Sequence, residues 1–229
     1  MPRNTTDNYL RTFGYVLRRT NYGEADRILN IITPSGKISA IAKSVRKEKS
    51  KLAGGVEMFS LVDLTIHKGK GDLRTITGAK MVKFYGEILK DLNRVEIASG
   101  FLKRINAAAE NSDSEEFFDI LGQSLVALND GCNTKLIEAW FSLNLARTMG
   151  EEINLYRDNE GKKLESKKEY NWDYMAGCFV EKENGEFSEN EIKVLRLMMT
   201  NSFDIVRRVK MDEEIINKVF ELARSAAKV

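Results

Sequence analysis

Hydrophobic and polar positions alternate with a period near two in short runs over the first 80 residues. Along residues 56–68, Val62, Leu64 and Ile66 fall on one face, while Asp63 and Thr65 fall on the other. Alternation of this kind is typical of a β-strand that is buried on one side. Five strands are predicted in this way, over residues 14–20, 26–33, 37–45, 56–68 and 73–79.

The segments between these predicted strands contain residues that favour tight turns. Thr33-Pro34-Ser35-Gly36 has proline and glycine where a type I turn favours them, and residues 68–72 (KGKGD) give a second turn signal. Five short strands with close turns in 80 residues predict a small barrel. A five-stranded Greek-key barrel is the OB-fold, although the strand count alone also permits an SH3-like barrel.

After residue 84 the hydrophobic positions recur at helical spacing instead. The first predicted helix covers residues 84–109, and the second follows a cap at Ser112 or Asp113. The third covers residues 135–149 and stops at Gly150. The fourth runs from a capping box at Ser188 to residue 201, and the last is capped by Asp212. Residues 151–187 are less regular. The sequence therefore predicts an α+β protein, with a β-barrel domain over residues 1–82 and a helical domain over 83–229 that includes an irregular lobe.

The charge of the chain is unevenly distributed along its length. The net charge of +2 combines a balance of +9 in residues 1–83 with a balance of −7 in the remainder. A basic half joined to an acidic half suggests that the first half meets a polyanion. No apolar run approaches the roughly 20 residues needed to span a bilayer, and the N-terminal residues lack the apolar core of a secretion signal. We therefore expect a cytoplasmic protein.

Residues suited to catalysis are few. His67 is the only histidine, so a metal site with several histidine ligands cannot be assembled. A catalytic triad would have no other imidazole as its base. Cys132 and Cys178 are the only cysteines, which is too few for a four-thiolate metal site. The KGKG stretch lacks the spacing of a phosphate-binding loop. These observations predict a binding protein and not an enzyme.

The most unusual local feature is the stretch AKSVRKEKSKLAGG at residues 42–55, called here the basic segment. Five cationic side chains within nine residues stand against one acid, Glu48. Lysine side chains on a loop beside a small barrel can contact phosphates without reading bases. The predicted DNA-binding residues are Lys43, Arg46, Lys47, Lys49 and Lys51 of the basic segment, Arg18, Arg19, Arg27, Lys68, Lys70 and Arg74 from neighbouring strands and turns, and Tyr22 as a stacking residue.

Three stretches of residues 13–80 resemble the N-terminal domain of RecO, the bacterial recombination mediator. They are YGEADRI after the first predicted strand, the block TPSGKISAIAKSVRKEKSKLAGG, and the following FSLVDLTIHKGKGDLRTIT. The resemblance implies an OB-fold followed by a helical domain. It also implies binding of single- and double-stranded DNA, annealing of complementary strands, and, with the partner RecR, loading of RecA on DNA coated by single-stranded-DNA-binding protein. The acidic C-terminal tail of that protein is then expected to bind the helical domain, and the protein to lie at the nucleoid.

The sequence departs from the family in one respect. Many members carry two cysteine pairs that hold a structural zinc ion in the helical domain, but here Arg157 and Glu160 stand where thiolates would lie, and only Cys178 remains. One thiolate cannot hold a tetrahedral structural zinc ion. We therefore expect no zinc and a degenerate zinc-ribbon-like lobe. The residues expected to hold this lobe by packing are Leu155, Tyr170, Trp172, Tyr174 and Phe179.

Two other functions remain open from the sequence. The protein could be an adaptor whose basic barrel binds an acidic protein partner, or an OB-fold protein that binds RNA. The charge distribution favours a nucleic acid as ligand, and the family resemblance favours DNA repair.

Overall fold

The computed structural model describes residues 8–69, 74–110 and 114–226. The chain forms two compact units, of which one ends at Leu125 and the other begins at Val126. The first unit therefore extends well beyond residue 82, where the secondary structure changes, and the predicted division there stays a prediction as a domain boundary. Each unit is described below by itself.

The first unit is built on a closed barrel of five strands. They are β1 (Tyr9–Tyr22), β2 (Asp26–Thr33), β3 (Gly36–Ala42), β4 (Ser60–His67) and β5 (Arg74–Phe84), in the order β1-β2-β3-β5-β4. All neighbours pair antiparallel except β3 and β5, which run parallel. This confirms the predicted five-stranded OB-type barrel and removes the SH3-like alternative.

Strand β1 closes the barrel because it has two partners along its length. Its first half pairs with β4, from Tyr9 opposite His67 to Tyr15 opposite Leu61, and its second half pairs with β2. A β-bulge between Val16 and Arg18 marks the change, as expected where a strand must bend sharply. Gly14 lies just before the bulge, where a Cβ atom would come within 2.5 Å of Cγ2 of Ile31, so only glycine fits without displacement.

The barrel interior confirms the predicted alternation. Val62, Leu64 and Ile66 of β4 are fully buried, while the intervening residues are partly exposed. The β2–β3 turn is also confirmed, since Thr33 pairs with Gly36 and the Thr33 hydroxyl donates to the Gly36 carbonyl at 2.8 Å. Phe59 is buried, as core packing requires.

Five predicted boundaries are wrong by three residues or more. Strand β1 begins at Tyr9, five residues before the predicted start, because those residues pair with β4. Strand β3 ends at Ala42 and β4 begins only at Ser60. Strand β5 continues to Phe84, and a 3₁₀ helix at Gly86–Lys90 follows, so the first α-helix begins at Leu92 instead of residue 84.

Two helices follow the barrel, α1 (Leu92–Ala108) and α2 (Glu116–Asn129). Asp91 caps α1 by accepting the N–H groups of Asn93 and Arg94. The face of α1 that is buried carries Phe101, Leu102 and Ile105. Both residues predicted to cap the second helix, Ser112 and Asp113, lie outside the described residues.

The second unit contains α3 (Thr134–Thr148), α4 (Glu189–Thr200), α5 (Phe203–Val206) and α6 (Glu213–Ala226). The predicted stop at Gly150 is confirmed by its φ of 78°, which favours glycine. The capping box at Ser188 and the cap at Asp212 are confirmed as well. Trp140, Phe141 and Met198 are buried, whereas Met199 is half-buried. The short helix α5 was not predicted.

Residues 151–187 form a small lobe around the antiparallel strands β6 (Tyr170–Asp173) and β7 (Cys178–Glu181). The ring of Phe179 lies 5.0 Å from Trp172, 5.6 Å from Phe187 and 6.2 Å from Tyr170 between centroids, each pair meeting edge to face. Leu155 is buried too, but Tyr174 is 49% exposed, so its predicted packing role is wrong. Phe187, which is buried, packs against Phe179 instead.

The turn that contains Arg157 and Glu160 is closed by a carboxylate. One carboxylate oxygen of Asp158 accepts the N–H groups of Glu160 and Lys162, both at 2.9 Å. The guanidinium of Arg157 donates to the Gly161 carbonyl at 2.7 Å. No group of three or more metal-binding side chains occurs within the described residues. Packing and turn hydrogen bonds therefore account for the shape of this lobe.

None of the helices in the described ranges is long and apolar enough to cross a membrane.

We predict that Phe179→Ala lowers the free energy of unfolding by about 3–5 kcal/mol, because it removes the ring at the centre of the lobe. Urea unfolding measures this loss. Tyr174→Ala, which truncates an exposed ring in the same lobe, should change stability by less than about 0.5 kcal/mol. A metal chelator should leave the unfolding of the wild-type protein unchanged, and a bound stoichiometric zinc ion would contradict this expectation.

Candidate nucleic-acid interface

The basic segment lies in the connection between β3 and β4, residues 43–59, and it is ordered by its apolar residues. Val45 and Val56 are buried in the barrel core, and Leu52 and Ala53 pack partly against it. A 3₁₀ helix at Ala53–Gly55 ends the segment. The connection therefore covers part of the barrel with its apolar side, and its cationic residues lie on the other side.

The start of this connection is fastened to the turn between β1 and β2. The N–H of Ser44, a residue with a φ of 55°, donates to the Asp26 carboxylate at 2.6 Å. The Arg46 N–H donates to the Ala25 carbonyl at 2.9 Å. The Arg46 guanidinium donates to the carbonyls of Gly23, at 2.6 Å, and Glu24. Arg46 thus binds the protein's own backbone.

The end of the connection is fixed by close packing. A Cβ atom added to Gly55 would lie 2.4 Å from the carbonyl oxygen of Ala79 in β5 and 2.8 Å from its Cβ. A backbone atom cannot move aside cheaply, so only glycine permits this contact. The neighbouring Gly54 has no atom within 4 Å of its Cβ position. The two adjacent glycines therefore have different roles.

The four lysines of the basic segment are exposed. Within the described residues, the ammonium groups of Lys43, Lys47, Lys49 and Lys51 make no hydrogen bond or ion pair, and Glu48 pairs with none of them. Four unpaired cations on a fastened loop form a positive surface that can bind a polyanion without first breaking internal ion pairs.

The other predicted cations differ in whether they already have an ion-pair or hydrogen-bond partner in the protein. Arg19 pairs with Glu57 at 2.7 Å, and the Arg27 guanidinium donates to the Asn21 side chain at 3.1 Å. Arg18 is exposed on β1, and its guanidinium makes no hydrogen bond or ion pair within the described residues. Lys68 is exposed and Arg74 is half-buried at the start of β5, while Lys70 lies outside the described residues.

The strand register gathers several of these residues at one end of the barrel. Tyr22, which is 54% exposed, pairs with Asp26, and Arg27 pairs with Ala42, the residue before Lys43. Ala40 in turn pairs with Arg74. Lys68 follows His67, whose register partner Thr75 is the neighbour of Arg74, and its N–H donates to the Asn8 carbonyl beside the start of β1. The register therefore places Lys68 near this group, through the start of β5.

Two residues that shape this surface were missed from the sequence. Asp26 stands in the YGEADRI stretch, and nothing in that stretch marks its carboxylate as the acceptor of a backbone N–H from the basic segment. Gly55 is the second glycine of the pair that ends the basic segment, and no sequence signal separates it from Gly54. Only the packing against β5 does so.

Comparison with known proteins identifies the family. A family model described as "Recombination protein O N terminal" matches residues 8–85, and one described as "Recombination protein O C terminal" matches residues 90–227. The chain belongs to the RecO family. The first match covers the whole barrel with the basic segment, and the second covers α1 to α6 and the lobe.

Individual relatives agree with this assignment. A protein named DNA repair protein RecO from Dehalococcoides mccartyi (strain CBDB1) is 31% identical over 227 residues, which cover 96% of this chain and 89% of the relative. Proteins of the same name from Rubrobacter xylanophilus and Acetivibrio thermocellus are 37% and 34% identical, over 61% and 62% of this chain and 57% and 58% of the relatives. The sequence resemblance is thereby confirmed, and the chain is a member of a bacterial family of DNA repair proteins.

We predict that Gly55→Ala destabilises the first unit by about 1–3 kcal/mol, because the added Cβ atom collides with the backbone of β5 and must displace the connection. Gly54→Ala is the matched control and should leave stability nearly unchanged. Urea unfolding of both variants measures the difference. Equal stability of the two variants would show that the connection does not depend on this contact.

Proposed function

We propose that this RecO-family protein binds single- and double-stranded DNA through the basic segment and anneals complementary strands. The observation that supports this is the set of four unpaired lysines on a loop fastened at both ends. The backbone of a fastened loop loses less conformational freedom when its lysines contact phosphates than the backbone of a free chain would. Their contacts with phosphates are independent of base sequence, as annealing of arbitrary strands requires.

Annealing follows from the same charge arrangement. Two complementary strands repel each other through their phosphates, and cations bound along one strand lower that repulsion. The binding itself is driven by release of counterions from the DNA, which makes it sensitive to salt. The protein acts here as a binding surface, and no bond is made or broken.

Arg46 has a different role in this proposal from the lysines. Because its guanidinium is held by the carbonyls of Gly23 and Glu24, it positions the loop, and the lysines contact the phosphates. Arg18 and Tyr22 extend the surface along β1, with Arg27, Arg74 and Lys68 nearby. Arg19 would have to leave Glu57 to bind a phosphate.

We predict that Lys47→Glu with Lys49→Glu weakens binding to DNA of every sequence while the fold stays intact. Four contacts give a log–log salt slope of roughly −3 on single strands, and losing two should reduce it to about −1.4. Fluorescence anisotropy at several salt concentrations measures both quantities, and circular dichroism checks the fold. Lys163→Glu with Lys167→Glu makes the same change of charge at exposed positions in the second unit and should leave the slope unchanged.

Three outcomes would count against the proposal. A folded double variant with unchanged DNA affinity would remove the basic segment as the binding surface. Weak DNA binding by the wild-type protein together with a saturable complex with an acidic protein would favour the adaptor. Tighter binding to RNA than to DNA of the same sequence would favour an RNA-binding protein, since the 2′-hydroxyl distinguishes the two.

We also propose the partners that the family implies: RecR, with which the protein would help load RecA, and the acidic C-terminal tail of single-stranded-DNA-binding protein. A cavity of about 480 Å³ in the second unit supports the second partner, because its lining includes Arg147, Arg196, Tyr156 and Met199. The Arg196 guanidinium donates to the Leu155 carbonyl and lies 4.7 Å from the centre of the Tyr156 ring. The lining has two arginines and one acid, Glu152, and this excess of positive charge suits an acidic peptide.

We predict that Tyr156→Glu weakens binding of a peptide with the sequence of that tail by at least about tenfold, because it adds a like charge and removes the ring. Tyr174→Glu changes an exposed tyrosine elsewhere in the same unit and is the matched control. Fluorescence anisotropy of a labelled peptide measures the affinity. Equal losses in both variants would show that the peptide binds elsewhere or responds only to net charge.

A further inference from the structure

An aromatic pair stands on the outside of the barrel, on the neighbouring strands β1 and β4. Tyr9, the first residue of β1, is the register partner of His67, the last residue of β4. Their ring centroids lie 5.0 Å apart with the planes inclined by 59°. Tyr9 is 54% exposed and His67 is partly exposed. Cross-strand packing accounts for the contact between the rings, but it leaves much of the tyrosine ring in contact with water.

The surroundings of this pair suit a negatively charged ligand that also has an apolar face. Lys68 follows His67 directly and its side chain is exposed. The acidic residue nearby on the same strand, Asp63, is already paired with Arg11, whose Nη2 lies 2.6 Å from the carboxylate. Hydrogen bonds from Arg11 hold the pKa of Asp63 below its ordinary value, so the pair stays ionised. Among the described residues beside the rings, Lys68 is the cation whose side chain makes no ion pair.

The register also connects this pair to the basic segment across the outer face. His67 pairs with Thr75 of β5, and Thr75 pairs with Ile41 of β3, two residues before Lys43. Neighbouring strands lie about 4.8 Å apart, so the path from His67 to Ile41 is about 10 Å long. The residues that alternate with this row, Ile66 and Ile76, point into the core.

We propose that Tyr9 and His67 form a stacking platform for a base of single-stranded DNA, with Lys68 contacting the adjacent phosphate. This inference rests on the proposed DNA binding and deepens it, because it adds a contact to bases where the basic segment contacts only phosphates. Stacking on an aromatic ring tolerates every base, since each has a π-face, so it remains compatible with annealing of arbitrary sequences. Bases in a duplex are stacked on each other and do not reach the platform.

The two surfaces therefore differ in the nucleic acid to which they respond. Loss of the basic segment should weaken binding to single strands and duplexes alike. Loss of the platform should weaken binding to single strands and leave duplex binding unchanged. The affinity for an oligonucleotide in which abasic sites replace the bases should depend on the basic segment and not on the platform.

The experiment measures binding of a single-stranded oligonucleotide, its abasic counterpart and a duplex of the same length, by anisotropy at one salt concentration. We expect Tyr9→Ala to weaken binding to the base-containing single strand by roughly 5- to 100-fold, the usual effect of removing one stacking ring. Binding to the duplex and the abasic strand should change less than about twofold. Tyr9→Phe keeps the ring and should bind as the wild-type protein does.

Phe13→Ala is the matched control, because Phe13 is also an exposed ring on β1 and pairs with Asp63 instead of an aromatic residue. It should leave all three affinities unchanged. His67→Ala is the second variant, and its effect should resemble that of Tyr9→Ala in direction. A single strand with 2-aminopurine in place of one base should lose fluorescence on binding the wild-type protein and not on binding Tyr9→Ala.

Binding measurements on the wild-type protein alone can overturn the inference, independently of the results for the variants. If it binds the base-containing and abasic strands equally, the platform does not exist, while the proposed DNA binding stands. If it binds neither strand nor the duplex, the proposed function itself fails and the platform fails with it. Equal losses for Tyr9→Ala on single strand and duplex would also overturn the inference.

Discussion

The barrel depends on the way that β1 is shared between two partner strands. Its first residues pair with β4 and its last residues pair with β2. The bulge between Val16 and Arg18 bends the strand so that it can pair with both. Gly14 permits this because a larger side chain would collide with Ile31. Once β1 is closed in this way, the turn after Tyr22 lies beside the end of β3. The anchoring of the basic segment follows from that position.

The basic segment shows how a run of like charges can be kept in a folded loop. Lysines close together repel one another, and the loop needs other interactions to hold it. Val45 and Val56 bury apolar surface, the Asp26 carboxylate and the Arg46 guanidinium bind backbone groups, and Gly55 packs against β5. These contacts use one cation of the five and leave four lysines in water. A bound phosphate backbone would relieve the repulsion that remains among them.

The lobe in the second unit is held together by aromatic contacts and by hydrogen bonds within a turn. In this chain the ring of Phe179 contacts three other aromatic rings, and the Asp158 carboxylate closes a turn by accepting two N–H groups. Aromatic contacts and turn hydrogen bonds do not depend on the availability of a metal or on the redox state of thiols.

The sequence by itself determined the features that depend on near neighbours along the chain. The alternation in β4, the turn at Thr33–Gly36, the capping box at Ser188 and the stop at Gly150 each depend on a few adjacent residues, and each was predicted correctly. Only the tertiary structure decided the features that depend on register between distant segments. It extended β1 to Tyr9 beside His67, turned Arg46 towards the Gly23 carbonyl, and separated Gly55 from Gly54 by its contact with β5. The physical reason is that the partner of each such residue is set by how the barrel closes, and local periodicity carries no information about closure.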